Sequence, residues 1–291
     1  MTIQKKPLGT LGVEITGVDV GRDLSGGNGD NLFGDIRQAW QEAGGLMVIR
    51  DQSIDQQQHI DFSRRFGPLF HDDGQPPLQD TVSRYLHPDY PQIYRVSNKV
   101  DAKGEPTGRK GAGTYWHSDV SFRDRPAQAS ILYAIQIPPY GGDTIFADMA
   151  AAYDALSGGM KAMLGNLNAV HDFAVAAATQ YAKPVVIDKD FDGANQCVHP
   201  IVRTHADTGR KSLYVNPGFT SHIEGFTAEE SRPILDHLYK HATQPEFLYR
   251  HAWQPHDILV WDNRTLMHYA VSDYAADRYM ERTTVIGERP V

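Results

Sequence analysis

The sequence predicts a mainly β fold with added helices, either a sandwich or a jelly-roll barrel. Short segments of alternating or continuous apolar residues recur along the chain, with turns rich in Gly, Pro and Asp between them. These segments do not alternate regularly with helical patterns, so the βαβ order of a parallel sheet is not indicated. A chain of 291 residues with 41% hydrophobic residues can bury a large core. We therefore expect a single domain over residues 1–291, with a barrel mouth that can hold a site.

The N-terminal part of the chain predicts strands and two helices, over residues 13–20, 32–43, 46–50 and 53–66. The first strand alternates apolar and polar residues, whereas the second is almost wholly apolar and is expected to be buried. Gly44 and Gly45 close the first helix. Ser53 is a plausible N-cap of the second helix, and Gly67 with Pro68 ends it.

Residues 70–114 are rich in Asp, Gly, Pro and polar residues, with one segment that resembles a strand at 92–97. A long polar segment directly before a candidate metal-binding strand is a suitable position for an active-site lid. A variable surface loop is the alternative interpretation. We expect a lid around residues 70–114.

Beyond residue 126 the pattern is mostly β, with predicted strands over residues 129–137, 143–147, 198–204, 211–216, 247–252, 258–261 and 282–286. Two of these, 198–204 and 211–216, flank the turn 206–210 as a hairpin. Residues 149–170 carry helical spacing. Thr227 and Glu230 form a capping box, which predicts a helix that runs to about His241.

Charge and cysteine content exclude several classes of protein. The formal net charge of −8 does not provide a basic surface for nucleic acid, so an anionic substrate would bind through a few local arginines. Cys197 is the only cysteine, which excludes an intramolecular disulfide and a cysteine-based zinc or iron–sulfur site. The N-terminus carries no apolar leader and no run approaches 18 apolar residues, so we expect a soluble, cytoplasmic protein that does not bind membranes.

The segment 115–122 contains the pattern H-x-D, formed by His117 and Asp119. In an extended strand side chains alternate, so the imidazole and the carboxylate point the same way. They would supply two ligands of a 2-His-1-carboxylate triad, which leaves three positions of an octahedral Fe(II) open. The pattern alone is weak, because a chain with thirteen histidines makes chance matches common. The alternative is a hydrogen-bonded pair on a strand.

The last part of the chain supplies further candidates for a site. His268 follows a strand with a wholly apolar end, which is consistent with a third ligand brought in by barrel closure. Arg278, Met280 and Arg282 would share one face of a strand. Two guanidinium groups that face a barrel interior need anionic partners, so they are candidates to bind carboxylates. A strand at the solvent-facing edge of a sheet is the alternative.

Together these motifs resemble the taurine dioxygenase and 2,4-dichlorophenoxyacetate dioxygenase group of Fe(II)- and 2-oxoglutarate-dependent oxygenases. The matching segments are 64–68, 116–122, 139–144, 199–200, 208–211, 261–268 and 278–284. They occur in the right order and extend over almost the whole chain. The resemblance implies a double-stranded β-helix, which is a jelly-roll barrel, and a homo-oligomer such as a dimer or tetramer.

The resemblance also implies roles for individual residues. Fe(II) would be held by His117, Asp119 and His268. The far carboxylate of 2-oxoglutarate would be held by Thr144 and Arg278.

The residues implied to contact the primary substrate are Arg282, which would also lie near the co-substrate, His71, Val120 and Phe219. The chain departs from the taurine enzymes in a longer insert before Tyr115 and in Gly113, which replaces a substrate-contacting asparagine. These departures make taurine itself a doubtful substrate.

The implied activity is oxidative decarboxylation of 2-oxoglutarate with O₂, which yields succinate and CO₂ and hydroxylates a small anionic organic acid. The candidate acids are sulfonates, sulfate esters, aryloxy acids and other carboxylates, and hydroxylation beside a heteroatom would cleave a C–S or C–O bond. Two other classes stay open, namely a non-catalytic sensor that binds 2-oxoglutarate and metal, and a zinc hydrolase. A halogenase would need a small residue in place of Asp119.

Overall fold

Two sheets that pack face to face form the centre of the protein. The computed structural model describes residues 3–24, 29–72, 84–179 and 195–291. The strands in these residues are β1 (Gln4–Pro7), β2 (Val13–Thr16), β3 (Leu46–Ile49), β4 (Tyr94–Ser97), β5 (Ala127–Gln136), β6 (Thr144–Asp148), β7 (Asn168–Asp172), β8 (Gln196–Pro200), β9 (Val202–Thr204), β10 (Lys211–Leu213), β11 (Thr220–Ile223), β12 (Leu248–His251), β13 (Ile258–Asp262), β14 (Leu266–Ala270) and β15 (Tyr279–Ile286). The helices are α1 (Val20–Asp23), α2 (Gly29–Glu42), α3 (Gln56–Arg64), α4 (Met149–Asp154), α5 (Gly158–Leu164), α6 (Phe173–Thr179) and α7 (Ala228–Ala242), and Pro245–Phe247 forms a 3₁₀ turn.

The larger sheet has the strand order β1-β2-β3-β13-β5-β15-β4, and its neighbours are antiparallel except for β2 and β3. The smaller sheet, β12-β6-β14, is antiparallel throughout. Separate from both are the three-stranded sheet β11-β7-β8 and the hairpin β10-β9. The predicted mainly β fold with added helices is therefore confirmed. Within the described residues, backbone hydrogen bonds do not join the sheets into a closed barrel.

Side chains alternate between the two faces of a strand, and this alternation separates two cores along the larger sheet. On β13, Val260 faces the outer core, whereas Trp261 faces the core between the two sheets. The smaller sheet contributes Phe146 of β6 and Leu266 of β14 to that inner core. Residues two positions from these inner-core side chains consequently point toward the space between the sheets.

Helices cover the outer faces of both sheets. On the larger sheet, Trp40 of α2 and Phe62 of α3 pack in the outer core. On the smaller sheet, Leu164 of α5 and Leu235 of α7 pack with Met267 of β14. The central strands are therefore buried on both faces, which explains the continuous apolar runs that the sequence shows at β3 and β13.

Three local predictions are corrected by the structure. The N-cap of α3 is Asp55 and not Ser53, because the Asp55 carboxylate reaches the backbone N–H three residues on and completes a capping box. The helical spacing over 149–170 covers two helices, since Ser157 caps a new one, and it ends in strand β7. The predicted strand 198–204 is split, with β8 paired to β7 and β9 paired to β10.

The segment with the H-x-D pattern is not the regular strand that was predicted. His117 forms an isolated β-bridge with His268 of β14, and the chain turns directly after it. Val120 adopts a left-handed backbone conformation with φ of 47°. One backbone pairing rather than a strand thus fixes the position of His117.

The predicted lid, residues 70–114, contains β4 and several turns, and its residues 73–83 lie outside the described part of the chain. The capping box predicted at Thr227 and Glu230 is confirmed and begins α7. Among the helices of the described residues, none has the length and apolar character needed to cross a bilayer.

Candidate metal centre and active site

Two imidazole rings meet at one end of the space between the sheets. His268 shares a strand face with Leu266, so it points toward that space. His117 lies opposite, held by hydrogen bonds from its N–H to the His268 carbonyl (3.0 Å) and from the His268 N–H to its own carbonyl (2.8 Å). The ring centroids are 4.1 Å apart. Residues remote in sequence therefore present their imidazoles to one point.

Asp119 completes a buried cluster with the two histidines. Its carboxylate oxygens lie 3.7 Å from His117 Nε2 and 3.9 Å from His268 Nε2. One possible ligand atom from each residue lies within 4.8 Å of the others. His117 Nδ1 donates to the Tyr115 carbonyl (2.8 Å), so its Nε2 carries the lone pair. Two imidazole nitrogens and one carboxylate oxygen are the donor set of a facial triad, and their spacing leaves room for a divalent cation.

Electrostatics favour the protonation states that a metal needs. Burial lowers the pKa of both His117 and His268, which keeps the imidazoles neutral. Burial alone would raise the pKa of the Asp119 carboxyl, but the positive charge of Arg282 and the hydrogen bond from Ser130 hold this pKa well below its usual range. The cluster therefore combines one fixed negative charge with two free nitrogen lone pairs.

A hydrogen-bond network from the larger sheet orients Asp119. The Ser130 hydroxyl on β5 donates to Asp119 Oδ2 (2.7 Å), and the Asp119 N–H donates to Asn263 Oδ1 (3.0 Å). Asn263 in turn donates to Ser130 Oγ (3.0 Å) and accepts from Trp261 Nε1 (3.2 Å). Sequence reasoning missed the contributions of Ser130 and Asn263. Asn263 lay within a matched segment, whereas a serine inside an apolar strand gives no signal.

Arg278 and Thr144 line the same cavity as the three clustered residues, as expected for a carboxylate site. Arg278 is buried next to the Gly142 carbonyl (3.4 Å) and the Tyr274 ring (5.6 Å), and among the described residues no carboxylate forms an ion pair with it. Burial lowers its pKa. Thr144 Oγ1 accepts from Trp253 Nε1 (3.0 Å), so the hydroxyl proton remains for another acceptor. A buried cation beside a free donor fits an incoming carboxylate.

Arg282 lies on β15 and also lines the cavity. Its Nη1 is 2.7 Å from Asp119 Oδ1, and its guanidinium stacks over the Tyr94 ring at 5.2 Å. Its charge is therefore engaged with the carboxylate of the cluster. Both arginines and Met280 face the inner space, which agrees with the predicted shared face and not with a solvent-facing edge.

The residues predicted to contact the primary substrate are only partly brought together. Val120 and Phe219 line the cavity. His71 is not among the described lining residues, and burial together with the charge of Arg123 lowers its pKa. Sequence reasoning missed Tyr115 and Phe173, which also line the cavity and pack with Phe219.

A mainly β protein with a buried His-Asp-His cluster, open toward a cavity with a buried arginine, has the fold and the donor set of metalloenzymes of the facial-triad class. Comparison with known proteins identifies the family. Residues 4–284 match the family model described as "Taurine catabolism dioxygenase TauD, TfdA family". The chain belongs to this family.

Three relatives illustrate the similarity. The chain is 36% identical, over 98% of its length and 97% of the relative, to an alpha-ketoglutarate-dependent 2,4-dichlorophenoxyacetate dioxygenase from Cupriavidus pinatubonensis. It is 34% identical to a taurine dioxygenase of known structure from Burkholderia xenovorans, with a TM-score of 0.79 and coverage of 100% of this chain and 91% of that one. It is 31% identical to AAD-2, solved in complex with Mn(II) and N-oxalylglycine, with a TM-score of 0.79 and coverage of 100% and 99%.

Family membership confirms the predicted enzyme class, a 2-oxoglutarate-dependent dioxygenase that uses iron and O₂. The alternatives of a non-catalytic sensor and a zinc hydrolase find no support among these relatives. Family membership does not test the roles of individual residues that the resemblance implies, and these roles stay predictions.

Proposed function

We propose that this enzyme hydroxylates a small organic anion with an apolar body, and that its site works as the resemblance implies. The observation that carries the proposal is the buried cluster of His117, Asp119 and His268 at a cavity that Arg278 also lines. When bound, iron and 2-oxoglutarate supply the oxidising chemistry, with succinate and CO₂ as co-products. The protein supplies the ligands and the carboxylate pocket.

Each group has a task that follows from its surroundings. His117 and His268 hold the metal through Nε2, and Asp119 adds the negative charge that partly neutralises it. Arg278 and the Thr144 hydroxyl bind the far carboxylate of 2-oxoglutarate, because a buried guanidinium without an acidic partner gains most from an anion.

The cavity favours an anion with an apolar body over an amino acid analogue such as taurine. Phe122, Phe173 and Phe219 form an aromatic wall, with ring centroids 5.1 Å apart for Phe122 and Phe173 and 5.0 Å apart for Phe122 and Phe219. Asp119 is the one acidic side chain among the described lining residues, and its charge is already used by the metal site. An ammonium group would therefore lack a partner. Aryloxy acids, alkyl sulfates and alkyl sulfonates fit these conditions, in line with the 2,4-dichlorophenoxyacetate named for a relative.

The proposal includes features of the whole protein. The inner space between the two sheets would be the interior of a double-stranded β-helix, since its lining comes from strands of both sheets. A single domain over residues 1–291, a lid around 70–114, a homo-oligomer such as a dimer or tetramer, and a cytoplasmic location stay predictions. We expect neither nucleic acid nor membrane as a partner.

The test begins without oxygen. Addition of Fe(II) and 2-oxoglutarate to the apoprotein should produce the weak visible charge-transfer band of the chelate, and oxygen should then release succinate. Asp119→Ala should abolish succinate formation, because the metal loses its only anionic protein ligand. Full activity of this variant would remove the assignment of the three ligands. Absence of the band in folded wild-type protein would overturn the proposed function.

A further inference from the structure

Trp253 lies next to the proposed co-substrate pocket but is not among the described residues that line the cavity. It follows β12 in the loop 252–257, outside the motifs that carry the family resemblance, and its side chain is buried in the inner core. Its indole N–H donates to Thr144 Oγ1 at 3.0 Å, and Thr144 is the first residue of β6. An effect of Trp253 on the co-substrate would therefore pass through the Thr144 hydroxyl.

The loop 252–257 fixes the position of this indole. The buried Asp257 carboxylate accepts hydrogen bonds from the Gln254 N–H (2.9 Å) and from Arg50 Nη1 (2.6 Å), so it connects the loop to the residue that follows β3. The His251 ring packs edge-on against the indole, with ring centroids 4.7 Å apart and planes at 89°. The larger sheet thus anchors the donor, whereas the acceptor lies on the smaller sheet.

The indole determines which hydrogen bond the Thr144 hydroxyl can make. A threonine hydroxyl has one proton and two lone pairs, whereas an indole N–H can only donate. The indole therefore occupies a lone pair of Oγ1 and leaves the proton, which has no acceptor among the described residues. Thr144 lines the same cavity as Arg278, so a carboxylate bound there could accept this proton. Donation to Oγ1 also polarises the O–H group and strengthens the bond that it donates.

We propose that Trp253 is a positioning residue for the co-substrate, because it fixes the Thr144 hydroxyl with its proton directed at the far carboxylate of 2-oxoglutarate. The inference rests on the proposed function, in which Arg278 and Thr144 bind that carboxylate, and adds the group that orients one of the two. Loss of the indole N–H should weaken binding at the far carboxylate and leave binding at the metal unchanged.

Trp253→Phe tests the proposal, with Trp40→Phe as its matched control. Trp40 is also buried, and its indole N–H has no hydrogen-bond partner among the described residues, so the control removes an indole without removing such a bond. Each apoprotein is loaded with Fe(II) without oxygen and titrated with 2-oxoglutarate, and the charge-transfer band reports binding. A second titration uses 2-oxopentanoate, which has the same carbon chain and the 2-oxo acid group but no far carboxylate.

We expect Trp253→Phe to weaken 2-oxoglutarate binding by about fivefold to tenfold, since a hydrogen bond to a charged group loses its orientation. Binding of 2-oxopentanoate and of Fe(II) should change less than about twofold, because neither involves the Thr144 hydroxyl. Thr144→Val should lose at least as much affinity for 2-oxoglutarate, and adding Trp253→Phe to it should cost nothing further, because both residues act through one hydrogen bond. Thr144→Ser should stay within about twofold of the wild type, since the indole also orients a serine hydroxyl.

Four outcomes would overturn the role of Trp253. These are unchanged 2-oxoglutarate binding in Trp253→Phe, an equal loss in Trp40→Phe, an equal loss for 2-oxoglutarate and 2-oxopentanoate, and an equal cost of Trp253→Phe with threonine or valine at position 144. If Trp253→Phe does not fold, Thr144→Ser decides, because a loss as large as that of Thr144→Val would show that the indole does not orient the hydroxyl. If the wild type forms no band with 2-oxoglutarate, the proposed function itself fails, which is a different result.

Discussion

Ser130→Ala should weaken metal binding although Ser130 is not a ligand. The Ser130 hydroxyl donates to Asp119 Oδ2 at 2.7 Å inside the protein, and Asn263 also donates to this hydroxyl. A hydrogen bond to a charged group contributes about 1.5–3 kcal/mol, and loss of such a partner typically costs about 10–100-fold in metal affinity. The freed carboxylate becomes more basic, which opposes the loss, but it also gains rotational freedom and can turn toward Arg282. We expect the loss of orientation to dominate.

The assay is an anaerobic calorimetric titration of the apoprotein with Fe(II). Ser118→Ala is the matched control, because Ser118 is also buried, lies between the two ligands and donates to the Leu266 carbonyl (2.9 Å) instead of to a carboxylate. This control should lose stability but keep its Fe(II) affinity. If Ser130→Ala binds Fe(II) within about twofold of the wild type, the argument that the larger sheet positions Asp119 is refuted.

Two further predictions concern His117 and the pH dependence of folding. Gly113→Ala should lower Fe(II) affinity by about tenfold in the same titration, because the added Cβ would lie 2.9 Å from His117 Cε1. Gly111 has a similar positive φ, but a Cβ there would only make an ordinary contact with Thr114 Cγ2 at 3.9 Å, so Gly111→Ala should leave the affinity unchanged. Equal effects of the two variants would show that backbone strain and not the contact is responsible. The His59 ring is buried with a pKa of about 4, below its ordinary value of 6.5. The unfolded chain therefore takes up a proton first, and the contribution of His59 to stability is present above pH 6.5 and is lost as the pH falls toward 4. The free energy of unfolding of the wild type, measured with urea, should decrease from pH 7 to pH 5, and His59→Gln should remove about 2 kcal/mol of this decrease. If the decrease is the same in the variant, the burial of His59 does not explain it.

The clustering of the three proposed metal ligands could be predicted from the sequence, because a facial triad requires two histidines and one carboxylate. His117, Asp119 and His268 meet in the structure although the strand expected at 115–122 is absent. The isolated β-bridge between His117 and β14 brings the three side chains together in place of the expected strand. The prediction therefore depended on the spacing of donor atoms more than on the secondary structure around them.

The supporting contacts were not predictable in this way. Ser130 lies in an apolar strand, and its partner Asp119 reaches it only because the sheets assemble. Arg282 was expected to contact the substrate, but its pairing with Asp119 depends on side-chain geometry that periodicity does not report. Ser53 and Asp55 are both good N-cap residues, and the choice was decided by which side chain reaches the third N–H of α3.

Because His117 pairs with His268, the metal centre can assemble only after the whole segment between these two residues has been synthesised. His117 precedes all three strands of the smaller sheet, and His268 lies on the last of them. A nascent chain therefore cannot bind the ion with all three proposed ligands until β14 has left the ribosome. Metal acquisition must then follow synthesis and sheet assembly. The ion, once bound, connects two distant parts of the polypeptide and so stabilises the folded state. Iron supply then affects the lifetime of the folded protein as well as its activity.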